Sequence, residues 1–205
     1  MAKCEPFSTD QMMFIAQSFC GWAKSRNRAM FLLGCCTGFR ISELLSLSRR
    51  DIISESGKIN SHITVHHTKN KTSRRVVLNP LAKRFLKKWL KKMEENALLC
   101  GGTPIFCTSR GNVITRGHAY NIIRYGAKRS GLTSATYGTH SMRKTYAKHI
   151  YTYYHRRHMT GENIDPLIQT QKALAHKDIN QTRKYLSFLD DTDDAVVKLY
   201  EGVSL

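Results

Sequence analysis

The chain has 205 residues, 33 Lys and Arg against 15 Asp and Glu, a formal charge of +18 and 41% apolar residues. That is enough apolar material for a real core, in one domain of ordinary size or two small ones. No apolar run is long enough to cross a bilayer and no cleavable apolar leader is visible at the N-terminus, so a cytosolic protein is expected. The cysteines Cys4, Cys20, Cys35, Cys36, Cys100 and Cys107 show no C-x-x-C pairing and sit mostly in apolar runs. They read as buried reduced thiols, with neither a disulfide framework nor a zinc cluster. The surplus positive charge is spread along the whole chain and needs an anionic partner, for which nucleic acid is the leading candidate.

The sequence shows no internal repeat, low-complexity tract or Pro/Gly/Ser linker, so a single compact domain that is mainly helical is expected over 1–205. A first helix starts at Ser8 or Thr9 and runs to Cys20, and a second, rich in Met30, Phe31, Leu32 and Leu33, stops near Gly38. Arg40 follows directly. The segment ISELLSL resumes helical spacing with Ile41, Leu44, Leu45 and Leu47 inward, and Arg40 and Glu43 share another face. After the polar turn SESGK come β-type runs at 59–67 and 74–78, joined by the basic stretch 68–73 as a small antiparallel hairpin with Lys69 and Lys71 at or beside its tip.

From Pro80 the spacing predicts an amphipathic helix burying Leu81, Phe85, Trp89 and Met93, with Lys83, Arg84, Lys87, Lys88, Lys91 and Lys92 opposite. A third strand is expected at 104–107. Further helices are predicted from Arg116 to Arg129, from His140 through the tyrosine-rich segment KTYAKHIYTYY, from Asp165-Pro166 toward Ala175, and over QTRKYLSFL with Asn180 as its cap. An acidic patch at 190–194 opens the C-terminal tail. His66 and His67 are adjacent on a strand and face opposite sides, a poor chelate, so no metal site is expected there.

Three distant segments combine a cation with a group able to move a proton or attack. In TGFRISELL, Glu43 can orient the Arg40 guanidinium by a charge-assisted hydrogen bond. In HSMRKTYA, His140 and Arg143 stand on one helical face. In LAHKDINQTRKYL, His176 precedes a turn and Tyr185 follows on a helix. Each alone has an ordinary reading as a surface pair or a core tyrosine. In order and local spacing, however, TGFRISELLSL, the hairpin TKNKTSRRVVLNP, HSMRKTYA and LAHKDINQTRKYLSF make the chain resemble the tyrosine recombinases, the phage integrase family, over about 7–188.

The resemblance implies the DNA breaking-rejoining catalytic-domain fold, with Arg40 and Arg143 clamping a phosphate, His140 and His176 at the paired histidine positions, Tyr185 as nucleophile and Glu43 in support. The hairpin lysine is Lys69 by an ungapped count back from Leu78, with Lys71 left open. Guanidinium pairs suit this work because charge grows on the phosphoryl oxygens during attack. A phenol titrates near ~10 and needs cations or a base such as His140 to act as a nucleophile at neutral pH. Lys69 is the candidate general acid for the departing 5′ oxygen, and His176 the donor to a non-bridging oxygen. The covalent phosphotyrosyl link conserves the bond, so no cofactor is expected, and the sequence carries no P-loop or magnesium-type carboxylate cluster.

Lys71, Arg74, Lys87, Lys91, Arg124, Lys128, Arg129 and Lys144 are the expected DNA-binding residues. The expected partners are double-stranded DNA with a specific recombination site, further copies of the chain as a tetramer on that DNA, and optionally accessory DNA-bending proteins. The expected location is the nucleoid of a bacterial or phage-infected cell.

The N-terminal helical domain usual in the family is not expected here, whether the chain is a natural one-domain protein or a fragment. The stretch from Arg143 to His176 is longer than usual, its surplus at 151–165 being either a DNA-contacting loop or a surface insertion. The tail, 189–205, either packs on a neighbouring protomer or frays. Competing functions are a type IB topoisomerase-like relaxase and a non-catalytic DNA-binding regulator; target sequence and direction of recombination are not legible.

Overall fold

The structure, a computed structural model, describes residues 4–67, 72–98, 102–133 and 137–186. The chain divides into two compact units, Met1–Tyr146 and Ala147–Leu205.

In the first unit, α1 (Thr9–Ser18) begins at a capping box, where the Ser8 hydroxyl accepts from the Gln11 N–H and the Gln11 amide oxygen accepts from the Ser8 N–H. This helix ends short of the predicted Cys20, which is exposed, whereas Cys35 and Cys107 are buried thiols. Helix α2 (Lys24–Thr37) supplies the centre of the core through Met30 to Leu33. Phe31 meets Phe7 and Phe19 edge-on, with ring centroids 5.4 and 6.0 Å away. It stops where expected, at Gly38, whose φ of 61° places it in the left-handed region and whose N–H returns to the Gly34 carbonyl. Any larger residue here is strained twice, because a Cβ at Gly38 would also strike the Tyr146 ring.

The apolar stretch after Arg40 makes only one short turn, α3 (Ile41–Leu45), before a second, α4 (Arg49–Ile52). The helix predicted through Leu47 breaks because Ser48 caps α4 with help from the Asp51 carboxylate, 2.8 Å from the Ser48 N–H. The hairpin forms as β1 (His62–His67) and β2 (Thr72–Val77), antiparallel, with Ile63 opposite Val76 and Val65 opposite Arg74. Ile59, expected in the first strand, instead bridges Ile53 across the SESGK turn.

Helix α5 (Pro80–Glu95) starts on the Asn79 side chain and packs on α2. Its buried seam is Ala82, Leu86, Trp89, Leu90 and Met93, whereas Leu81 and Phe85 are only partly buried. Trp89 and Met93 are buried as predicted, and the stripe departs from the predicted one only in its first two turns, where Ala82 and Leu86 take the place of Leu81 and Phe85. The expected third strand at 104–107 is not a strand. It keeps only isolated antiparallel bridges, Ser48 with Pro104 and Cys107 with Val113, with the Ile105 N–H on the Leu47 carbonyl at 2.8 Å, and the Trp89 indole N–H takes the Ile105 carbonyl at 2.6 Å. Helix α6 (Arg116–Arg129), capped by Thr115, packs against α1 and α3.

Helix α7 (Thr139–Met159) starts in the first unit and continues into the second, where α8 (Pro166–Leu174) and α9 (Ile179–Leu186) pack together. Asp165 caps α8 through the N–H groups of Leu167 and Ile168. The cap of α9 is corrected from Asn180 to Asp178, whose carboxylate accepts the Asn180 N–H at 3.0 Å. No helix among the described residues is long and apolar enough to cross a membrane.

Trp89 is fully buried and its indole N–H holds the Ile105 carbonyl. Trp89→Phe lowers the unfolding free energy by roughly 2 kcal/mol, from the lost hydrogen bond and the volume left unfilled. Urea unfolding measures it, and an unchanged midpoint would show that this bond does not anchor the segment.

Candidate active site

The end of α2 and the start of α3 form one cationic cluster. The Glu43 carboxylate, 6% exposed, takes the Arg40 backbone N–H at 2.7 Å on one oxygen and the Arg40 guanidinium at 2.9 Å on the other. One buried acid thus fixes both ends of a residue whose side chain is 45% exposed. Charge-assisted bonds of this kind are the strong class, and the guanidinium is left oriented toward solvent access rather than free to rotate.

Arg143, in the first turns of α7, is 1% exposed and donates through Nη1 to the Gly38 carbonyl. This puts it on the same turn that carries Arg40. The approach is permitted by a close crossing of α2 and α7: a Cβ at Gly34 would stand 2.7 Å from the Met142 sulfur. His140, one turn earlier on α7, is exposed.

Arg74 departs from the expectation of a DNA-facing residue. It is 5% exposed, and donates to the Gly38 carbonyl at 3.2 Å and to the Thr37 carbonyl at 2.6 Å. Its guanidinium lies over the rings of Phe39 and Tyr146, at 5.2 and 5.7 Å. Burial pushes its pKa below the ordinary arginine value, while Tyr146 and the Glu43 carboxylate draw it back up. The alternation along β2 already held the signal, since Arg74 shares the inward face with Val76 and Leu78.

In the second unit, His176 follows the left-handed Ala175 cap of α8 and is 7% exposed. The residues His176 and Tyr185 are together, with ring centroids 4.9 Å apart at 60°. The imidazole Nδ1 stands 3.0 Å from the hydroxyl of Thr182, a buried residue of α9 that the sequence did not single out. Lys69 and Lys71 lie outside the described residues, as does the tail at 189–205.

The remaining DNA-binding candidates separate by surroundings. Lys87 and Lys91 are exposed on α5, Lys91 3.9 Å from Glu95. Arg124, Lys128 and Arg129 are exposed on α6, interleaved with Tyr120 and Tyr125; Arg124 lies over Tyr120, and Arg129 donates to the Tyr125 hydroxyl at 3.0 Å. Lys144 is half-buried. The surplus segment at 151–165 begins as helix rather than loop. Its Tyr151 and His155 stack, and Arg157 lies over Tyr153 and Tyr154 while ion-pairing with Glu162, which it holds below the ordinary carboxylate pKa.

Mainly helical with a two-stranded hairpin among its described residues, the chain has the fold of tyrosine recombinase catalytic domains. Helicobacter pylori XerH shares 28% identity over 80% of the chain and 42% of its own length. A XerH site-specific recombinase structure bound to palindromic difH substrate, in a post-cleavage complex, aligns with a TM-score of 0.72 at 23% identity, over 97% of this chain and 54% of that one. A lambda integrase dimer bound to a COC′ core site aligns with a TM-score of 0.62 at 19% identity, over 90% and 48% of the two chains. The probable integrase/recombinase YoeC of Bacillus subtilis is 27% identical over 87% of this chain and 86% of its own length. The chain belongs to the phage integrase family, whose model matches residues 5–191. It spans about half the length of its XerH relative.

Removing the Arg74 guanidinium leaves the Thr37 carbonyl without that donor. Arg74→Met lowers the unfolding free energy by roughly 2–3 kcal/mol, and Arg74→Lys recovers part of it, because an ammonium lacks the planar fork that spans two carbonyls. Urea melts of both variants check this; a neutral Arg74→Met would remove Arg74 as a support of the turn.

Proposed function

We propose that this chain is the catalytic domain of a site-specific DNA recombinase, its two units working as one domain, that cuts and rejoins strands through a phosphotyrosyl intermediate. The observation that carries the reading is the arginine cluster: Arg143 reaches the Gly38 carbonyl in the same turn that presents Arg40. A structural ion pair needs no such convergence. Glu43 pairs with Arg40 and also draws on the buried Arg74, so one acid steadies the two cations of this turn that it meets. The names of the relatives, integrases and recombinases, put strand exchange ahead of relaxation or of DNA binding without cleavage.

In this mechanism Arg40 and Arg143 hold the non-bridging oxygens of a DNA phosphodiester and stabilise the charge that develops on them during attack. Tyr185 gives its phenol proton to a base, for which His140 is the candidate, as its oxygen bonds to phosphorus. The bond from phosphorus to the 5′ oxygen breaks, and Lys69 protonates the leaving oxygen. His176 donates to a non-bridging oxygen. Attack by the 5′-hydroxyl of a second strand releases Tyr185 and restores a phosphodiester, so exchange between duplexes needs several protomers assembled on paired sites. Phosphate contacts from the α6 and α5 cations position the duplex without reading its sequence.

A suicide substrate, nicked beside the cleavage point, is expected to trap a covalent adduct that Tyr185→Phe eliminates. Arg143→Ala is expected to slow adduct formation by at least ~100-fold while duplex binding persists. An adduct formed by Tyr185→Phe would overturn the nucleophile.

A further inference from the structure

Neutral imidazole carries its proton on one ring nitrogen and a lone pair on the other, and which is which decides whether His176 can donate from Nε2. The structure holds the deciding contact at Nδ1, 3.0 Å from the Thr182 hydroxyl. A threonine inside a helix ordinarily returns its hydroxyl proton to the carbonyl four residues back. Three buried helical threonines of this chain do so: Thr37 to Leu33 at 2.7 Å, Thr145 to Ser141 at 2.8 Å and Thr170 to Pro166 at 2.8 Å. Thr182, also buried, is turned instead onto the imidazole, and among the described residues its hydroxyl has Nδ1 as its one partner.

A buried hydroxyl has one proton, and leaving it without an acceptor is costly. With the proton on Nδ1, the two donors would share one contact and the hydroxyl proton would have nowhere to go. With the lone pair on Nδ1, the hydroxyl donates and both groups are satisfied. We propose that Thr182 is a positioning residue that fixes His176 as the Nε2–H tautomer, so that the neutral imidazole presents a donor to phosphate oxygen. The second part rests on the functional reading above, in which His176 donates to a non-bridging oxygen. The same helix turn also carries the nucleophile candidate: Tyr185 follows Thr182 by three residues on α9 and meets the imidazole ring. The histidine is therefore oriented from α9 by a hydroxyl and an aromatic ring one turn apart.

The test is a long-range proton–nitrogen NMR spectrum of the full chain labelled with 15N-histidine, with His176 assigned by its loss in His176→Gln. The wild-type protein, without DNA and above the imidazole titration, is expected to show Nε2 protonated and Nδ1 bare. Thr182→Val is expected to lose that pattern and to slow single-turnover cleavage of the suicide substrate about tenfold, with duplex affinity unchanged; Thr182→Ser, which keeps the hydroxyl, restores both. A wild-type spectrum with the proton on Nδ1 overturns the proposal, as does a Thr182→Ser protein that folds but behaves like Thr182→Val. The spectrum is read without DNA or activity, so failure of the functional reading, seen as an adduct in Tyr185→Phe, is distinguishable from failure of the tautomer assignment.

Discussion

The Gly38 carbonyl is the point on which the first unit's chemistry depends. It accepts from Arg74 and from Arg143, and the chain leaves it directly for Phe39 and Arg40. Placing like charges around one oxygen is unfavourable unless something negative and something polarisable stand close by. Glu43 and the carbonyls of Thr37 and Gly38 supply the first, and the faces of Phe39 and Tyr146 supply the second. The left-handed conformation of Gly38 is what turns its carbonyl and the helix end into this arrangement, and the Tyr146 ring fills the space that a side chain there would need.

The second unit solves a different problem. Its imidazole and phenol belong to the end of one helix connection and the last turns of the next, and a single short helix, α9, brings them into ring contact. Asp178 starts that helix two residues after His176, so the turn between them is short and tightly specified. The orientation of the imidazole and the placement of the phenol are thereby properties of the same local structure.

Much of this was legible from residues alone because it is local. Helix starts at Ser8, Pro80 and Asp165, the stop at Gly38 and the hairpin all follow from caps, turn chemistry and periodicity, and the Arg40–Glu43 pair follows from helical spacing. Where the structure departs from the local pattern, the deciding partners are distant in sequence. On α5 the period places Trp89 and Met93 correctly, but in the first two turns Leu81 and Phe85 fit it as well as Ala82 and Leu86, and only packing on α2 decides between them. The segment at 104–107 has strand composition but pairs only through single bridges to Ser48 and Val113, with the Trp89 indole taking one of its carbonyls. Arg74, expected to bind DNA, is buried, in line with its alternation with Val76; its acceptors at Thr37 and Gly38 lie in another element. Thr182 gave no signal, since a helical threonine ordinarily bonds its own backbone and this one does not.

Gly34 has no chemistry of its own, yet a methyl group there would press on the Met142 sulfur and on Leu44. Met142 is the immediate neighbour of Arg143, and Leu44 of Glu43. Substitution tolerance at this buried site is therefore governed by the neighbours of Arg143 and Glu43 rather than by core volume. Variation among functional descendants of this chain should be narrower at Gly34 than at equally buried core positions such as Leu86, where a changed volume can be absorbed without moving an arginine.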